Sequence, residues 1–183
     1  MPKLIMSLCG PSACGKATLM DRLMREDASD VRSLLRIPDG QLITVGEGDE
    51  FHAKPEVPTV GNSDIIVHKW QLNRDIYSDT LAVMPEIDWM KEQFPTTPHR
   101  IVFMWLPLMQ WWHGMRSKND SGRHQSLSDV LDWIYETLLP TLEGNSHNIP
   151  VEHLFWYYPV NGDKAVYSLL EQCPERPKFQ PLD

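Results

Sequence analysis

Gly10-Pro11-Ser12-Ala13-Cys14-Gly15-Lys16-Ala17-Thr18 is the stretch that decides the fold. It follows a short apolar run, Leu4-Ile5-Met6-Ser7-Leu8-Cys9, and leads into Leu19-Met20-Asp21-Arg22-Leu23-Met24. Strand, glycine-bounded loop and helix follow one another, with the spacing G-x-x-x-x-G-K across the turn. Glycine lets the backbone curl until successive N–H groups point inward at a phosphate. The helix that follows adds its positive N-terminal dipole. Lys16 then reaches the outer phosphates of a triphosphate. Gly10, Pro11, Ser12, Ala13, Cys14, Gly15, Lys16, Ala17 and Thr18 are therefore the candidate nucleotide-binding residues.

Working outward, apolar strands alternate with helical segments. The pattern predicts helices at Ala17–Arg25 and Ser29–Leu35, a strand at Gln41–Val45 and a loop over 52–63. A strand at Asp64–His68 follows, then helices at Gln71–Leu81 and Ile87–Phe94. Arg100–Leu106 is almost wholly apolar, as a strand covered on both faces should be. Leu108–Met115 reads as a helix and Ser117–His124 as a polar loop. Ser126–Leu139 reads as one helix, with Ser126 and Asp129 in a capping pattern. Glu152–Tyr158 is the last expected strand and Asp163–Glu171 the last expected helix. Such alternation implies an α/β fold with about five parallel strands and helices on both faces. Ligands in such sheets bind beyond the carboxyl ends of the strands.

Composition bounds the rest. A chain of 183 residues reads as one domain, here residues 1–173, with a proline-containing tail at 174–183. Cys9, Cys14 and Cys173 have no metal-site or disulfide spacing, which points to a reducing, cytoplasmic setting. The first residues run directly into a strand, with no leader pattern. The longest apolar run, Ile101 to Met109, is too short to cross a bilayer. A net charge of −8 argues against a general grip on nucleic acid, though a local basic track of Arg32, Arg36, Lys54, Lys69, Arg74, Arg116 and Arg123 remains open.

The loop departs from the common pattern at one place. The residue after the lysine is usually Ser or Thr, whose hydroxyl meets Mg²⁺. Here it is Ala17, and the hydroxyl comes one residue later at Thr18. That order resembles the G-K-G-T loop of adenylate kinases. The chain is similar to P-loop kinases of the nucleoside and nucleotide kinase group, with thymidylate and deoxynucleoside kinases among them. The layout matches over the whole chain, the specific motif over the first 18 residues. The resemblance implies a three-layer P-loop fold, ATP and Mg²⁺ as cofactors, and transfer of the γ-phosphate to a hydroxyl. The implied acceptor is a nucleoside, a nucleotide or modified DNA, since phages carry kinases of this group that act on 5-hydroxymethyluracil within DNA. Thr18 would support the metal shell, with most ligands from phosphate and water.

Further candidates sit at strand ends. Glu47 and Asp49, after the second strand, are the candidates for orienting or deprotonating the acceptor hydroxyl, the role an acidic residue plays there in deoxynucleoside kinases. Gly48 lets the turn aim Asp49 back at the site. The next strand ends in His68, where that family would place a magnesium-binding carboxylate. His68 would then contact phosphate, act as a base or simply be packed. Beyond it, Trp70 would stack on a base, Gln71 read a base edge and Arg74 bind an acceptor phosphate. In nucleotide kinases the segment 115–125 is a lid, and Arg116 and Arg123 would neutralise the transferring phosphoryl group. Trp105 to His113 is dense in rings and methionine, which helix packing explains as well as a site would. Ala17 and the missing carboxylate leave another class open: a nucleotide-binding sensor without phosphoryl transfer. A plain nucleic-acid-binding module is a third.

Overall fold

The computed structural model describes residues 1–45, 59–69, 85–117, 126–162 and 164–178. β1 (Leu4–Cys9) leads through the loop into α1 (Lys16–Leu23) and α2 (Ser29–Leu34). β2 (Leu42–Val45), β3 (Ile65–Lys69), α3 (Pro85–Gln93) and β4 (His99–Trp105) follow. Then come α4 (Leu108–Ser117), α5 (Leu127–Trp133), a π-helical turn (Ile134–Leu138) and α6 (Leu139–Glu143). β5 (Val151–Tyr157) and β6 (Val166–Leu170) close the order. The fold is α/β, with one mostly parallel sheet ordered β2-β3-β1-β4-β5-β6.

β1 lies in the middle, parallel to β3 on one side and β4 on the other. All six of its residues are buried. Successive side chains of a strand point to opposite faces. Leu4, Met6 and Leu8 accordingly join the larger core cluster, while Ile5 joins a smaller one with Val45, Ile66, Met90 and Phe94. Each fully buried aliphatic side chain of this kind is worth about 1.5–3 kcal/mol. The strand that presents the loop is thus paired on both edges and buried along its whole length.

Two expectations need correction. The described sheet has six strands where five were expected, and Val166–Leu170 is a strand where Asp163–Glu171 reads as a helix. β6 runs antiparallel to β5, pairing Tyr167 with Trp156. Those rings stack with centroids 5.9 Å apart. A short apolar run does not declare its period. The open edge of β5, with backbone groups needing partners, makes the choice.

The second correction is Ser126–Leu139, which is not one α-helix. Its start is as read: Ser126 accepts from the Asp129 backbone N–H, and the Asp129 carboxylate accepts from Ser126 N–H. The ladder then widens, so that Leu139 N–H donates to Ile134 O, five residues back. Pro140 is the cause. It has no N–H, and its ring would strike the carbonyl of residue 136 in a regular helix. One π turn relieves the clash.

The other strands lie within a residue of their expected bounds, and α3 begins two residues earlier than read. The expected helix Gln71–Leu81 and the heart of the expected lid fall outside the described residues. The tail is described to Lys178 and runs as a strap without regular secondary structure. Arg176 anchors it, paired with Asp132 and, at 3.3 Å, with Glu136.

Candidate functional site

The loop after β1 leaves the sheet at its middle, at the carboxyl end of a parallel strand. Connections from β1 and β4 run to opposite sides of the sheet. The crevice between those strands is the position where such sheets bind ligands.

The loop needs its glycines. Gly10 has φ 139° and Gly15 has φ 96°, and Ala13 between them sits at φ 61°. A Cβ on Gly10 would lie 2.7 Å from Cys14 Sγ and 3.3 Å from the Met104 carbonyl oxygen. A Cβ on Gly15 would lie 2.6 Å from Cε2 of Trp156. Both positions therefore exclude a side chain, by backbone conformation and by space together.

Two indoles hold the loop in shape. Trp111 on α4 donates its Nε1–H to Ser12 O at 2.8 Å. Trp156 on β5 donates its Nε1–H to Cys14 O at 2.8 Å. In a trans peptide the C=O of one residue and the N–H of the next point opposite ways. Pinning Ser12 O and Cys14 O outward therefore turns the N–H groups of Ala13 and Gly15 the other way. Gly15 is the N-cap residue of α1, and no side chain caps that helix. Its first N–H groups have no acceptor within the helix. The N–H groups of Ala13 and Gly15 thus face away from the two indoles, at the positive end of the α1 dipole.

Lys16 is buried, 5% exposed, in the first turn of α1. Its ammonium donates to Gly10 O at 2.8 Å and Pro11 O at 3.1 Å, with Cys14 Sγ at 3.8 Å. Among the described residues no carboxylate lies within ion-pair distance of it. A buried ammonium neutralised by nothing but carbonyl dipoles is costly. An anion in the loop removes that cost.

Trp111→Phe keeps a ring in place and deletes the donor to Ser12 O. The expected cost is about 1 kcal/mol of stability, the usual net worth of one such bond. Any affinity of the loop for a triphosphate should fall several-fold, because the loop loses one of its two indole anchors. Thermal unfolding and titration calorimetry with tripolyphosphate measure the two effects.

The sequence reading assigned no site to Trp105–His113, and neither Trp111 nor Trp156 carried a role. Trp111 lies 99 residues from its partner and Trp156 lies 142 residues from Cys14. No local spacing connects them; the general signal was only the wealth of tryptophan, seven in all.

Beneath the loop strand lies a buried polar cluster that the sequence reading also missed. Ser7 Oγ on β1 is 2.8 Å from His99 Nε2 on β4 and 3.3 Å from His68 Nδ1 on β3. All three residues are buried. Burial above all, then the charges of Lys91, His68 and His147, pushes His99 down to about 3. His99 is therefore a neutral imidazole in neutral solution. His68 belongs to this interior cluster and is fully buried, so the structure places it within the sheet and not on an open lip.

Arg116 is exposed in the last turn of α4. Thr18 is half-buried in α1, one turn from Gly15, and Ala17 is exposed. Glu47, Asp49, Trp70, Gln71, Arg74 and Arg123 lie outside the described residues. Of the suggested basic track, Arg36 pairs with Glu152, which also meets Arg100 at 3.3 Å. That pairing is at the amino ends of β4 and β5, the far end of the sheet from the loop. Among the described residues no group of three His, Cys, Asp or Glu side chains assembles into a metal site, and no helix is long and apolar enough to cross a membrane. Comparison with protein-family models finds no match, and comparison with curated proteins finds none.

Proposed function

We propose that the protein is an ATP-dependent phosphotransferase, a P-loop kinase that moves the γ-phosphate to the hydroxyl of a nucleoside-type acceptor. The observation that carries this reading is Lys16: a buried ammonium among loop carbonyls, at the N-terminus of a helix that no side chain caps. Among the described residues no carboxylate pairs with that ammonium, and an anion would. The strand–loop–helix motif and the central place of β1 support a triphosphate in particular.

In this mechanism the backbone of Ser12 to Ala17 cradles the phosphates. Lys16 turns from its carbonyls to the outer phosphate oxygens and spreads their charge. Thr18 offers the one loop hydroxyl beyond Ser12 and would help hold magnesium, with phosphate and water supplying other ligands, as that ion permits. Magnesium would supply charge neutralisation. Asp49 or Glu47 orients the acceptor hydroxyl, and Arg116 with Arg123 neutralises the transferring group. The acceptor is a (deoxy)nucleoside, a nucleotide or a hydroxymethylated base in DNA.

The deciding experiment incubates the protein with γ-labelled ATP, Mg²⁺ and a panel of nucleosides, nucleotides and hydroxymethyluracil-containing DNA. Label on one acceptor is the expected result. ATP binding with no transfer to any acceptor would instead make the protein a nucleotide sensor. Salt-sensitive DNA binding with no ATP binding would make it a nucleic-acid module. Lys16→Ala should weaken ATP binding roughly 100-fold, or about 2.7 kcal/mol. Unchanged affinity in a folded Lys16→Ala protein would defeat the triphosphate reading.

A further inference from the structure

A cavity of about 420 Å³ opens at the carboxyl ends of β4 and β5, behind the phosphate loop. Its size falls in the range of small-molecule sites, about 300–1,000 Å³. β4 supplies Phe103 and Trp105, β5 supplies Phe155, α4 supplies Trp111 and the π turn supplies Tyr135. Pro11 and Cys14 form the wall toward the loop, and Pro174, Glu175 and Pro177 of the strap form the roof. We propose that this cavity is a second binding site, built for a flat, uncharged heterocycle that offers an N–H edge.

The chemistry of the wall selects that class. Trp105, Tyr135 and Phe155 keep part of their ring surface accessible, with Trp111 and Phe103 buried behind them, which suits stacking or edge-to-face contact with another ring. The indole donors are already engaged: Trp105 Nε1–H donates to His153 Nδ1 at 3.0 Å, and Trp111 Nε1–H donates to Ser12 O. Those rings therefore offer faces and no N–H. No Lys or Arg lines the cavity among the described residues, so a phosphate or carboxylate would go unanswered there. Among the described residues the one charged group on the wall is Glu175, whose carboxylate is an acceptor. A ligand with an N–H edge meets it.

The wall is also built to be held open. The π turn, forced by Pro140, sets Ile134 and Tyr135 on the cavity side. π turns of this kind recur at functional sites. The roof is tied to that same segment. Tyr135 Oη donates to Glu175 O at 3.3 Å, and Arg176 pairs with Asp132 and Glu136. These contacts tie the strap to α5 and the π turn, the same segment that lines the cavity. The site stands whether or not the loop binds a triphosphate, since none of its recognition uses Lys16.

The test follows the indole N–H resonances of Trp105 and Trp111 in ¹⁵N-labelled protein. Benzimidazole, flat and bearing one N–H, should shift both resonances to saturation. 1-Methylbenzimidazole, the same ring without the donor, should bind several-fold more weakly. Glu175→Gln, whose amide oxygen is a weaker acceptor than the carboxylate, should narrow that gap. Leu170→Trp, which fills the cavity from β6, should weaken benzimidazole at least tenfold. Leu131→Phe fills it from α5 and serves if the first variant does not fold. Octanol is the control for an apolar chain. No saturable shift, equal binding in both filled variants, or tighter binding of octanol than of benzimidazole would each overturn the proposal.

Discussion

Gly15→Ala is expected to cost about 2–5 kcal/mol of stability, combining left-handed backbone strain with overpacking, and to abolish triphosphate binding. Gly15 sits at φ 96°, where an added Cβ costs about 1–2 kcal/mol. The methyl would also press into the Trp156 ring, with Cε2 at 2.6 Å and Nε1 at 2.8 Å. An indole is rigid, and this one is fixed by its bond to Cys14 O and by stacking on Tyr167. It cannot swing aside without releasing the loop. Whichever group yields, the N–H of Gly15 loses its aim. Urea unfolding measures the first effect and calorimetry with ATP the second. Trp156→Leu in the Gly15→Ala background should recover part of the stability and none of the binding, because the clash goes but the carbonyl anchor goes with it. A Gly15→Ala protein of native stability and affinity would show that the loop adopts another shape.

Acid is expected to drain stability well before carboxylates protonate, through His99. Unfolded histidine titrates near 6.5, whereas folded His99 resists protonation down to about 3. Between those values the unfolded chain binds a proton that the folded chain refuses. Stability from this source is therefore whole above about pH 6.5 and falls as pH drops toward 3. Each unit is worth about 1.4 kcal/mol, so moving from pH 7.5 to pH 5 should remove about 2 kcal/mol through this one group. His153 adds to the same trend, since burial also lowers its affinity for a proton. His99→Gln keeps a polar partner for Ser7 and cannot titrate. Its stability should fall by about 2 kcal/mol less than the wild type's over that interval. Equal acid sensitivity in the two proteins would place the effect elsewhere.

Much of the fold was legible because its signals are local. Leu4–Cys9 and Arg100–Leu106 are apolar runs that only a strand buried on both faces tolerates, and both are strands of the sheet within a residue or two. Gly10 and Gly15 were legible because a tight strand-to-helix turn with positive φ has no room for a side chain. Val166–Leu170 was not legible, because its neighbour β5 supplies the reason to extend. The π turn was not legible from the apolar stripe of Leu127 to Leu138, though Pro140 stood as a mark that the helix could not continue evenly. The Ser7–His99 contact joins residues 92 apart, and no reading along the chain brings them together.

By itself the sequence determined an α/β chain whose first strand ends in a glycine-bounded loop and a lysine, because backbone conformation and apolar runs are written locally. Only the tertiary structure decided what holds that loop: Trp111 and Trp156 from distant elements fix its carbonyls, and Lys16 is buried among the carbonyls of Gly10 and Pro11. It also decided the aromatic cavity behind the loop and the neutral histidine beneath it. Those depend on which side chains meet across the sheet, and such meetings are set by packing between elements far apart in the chain.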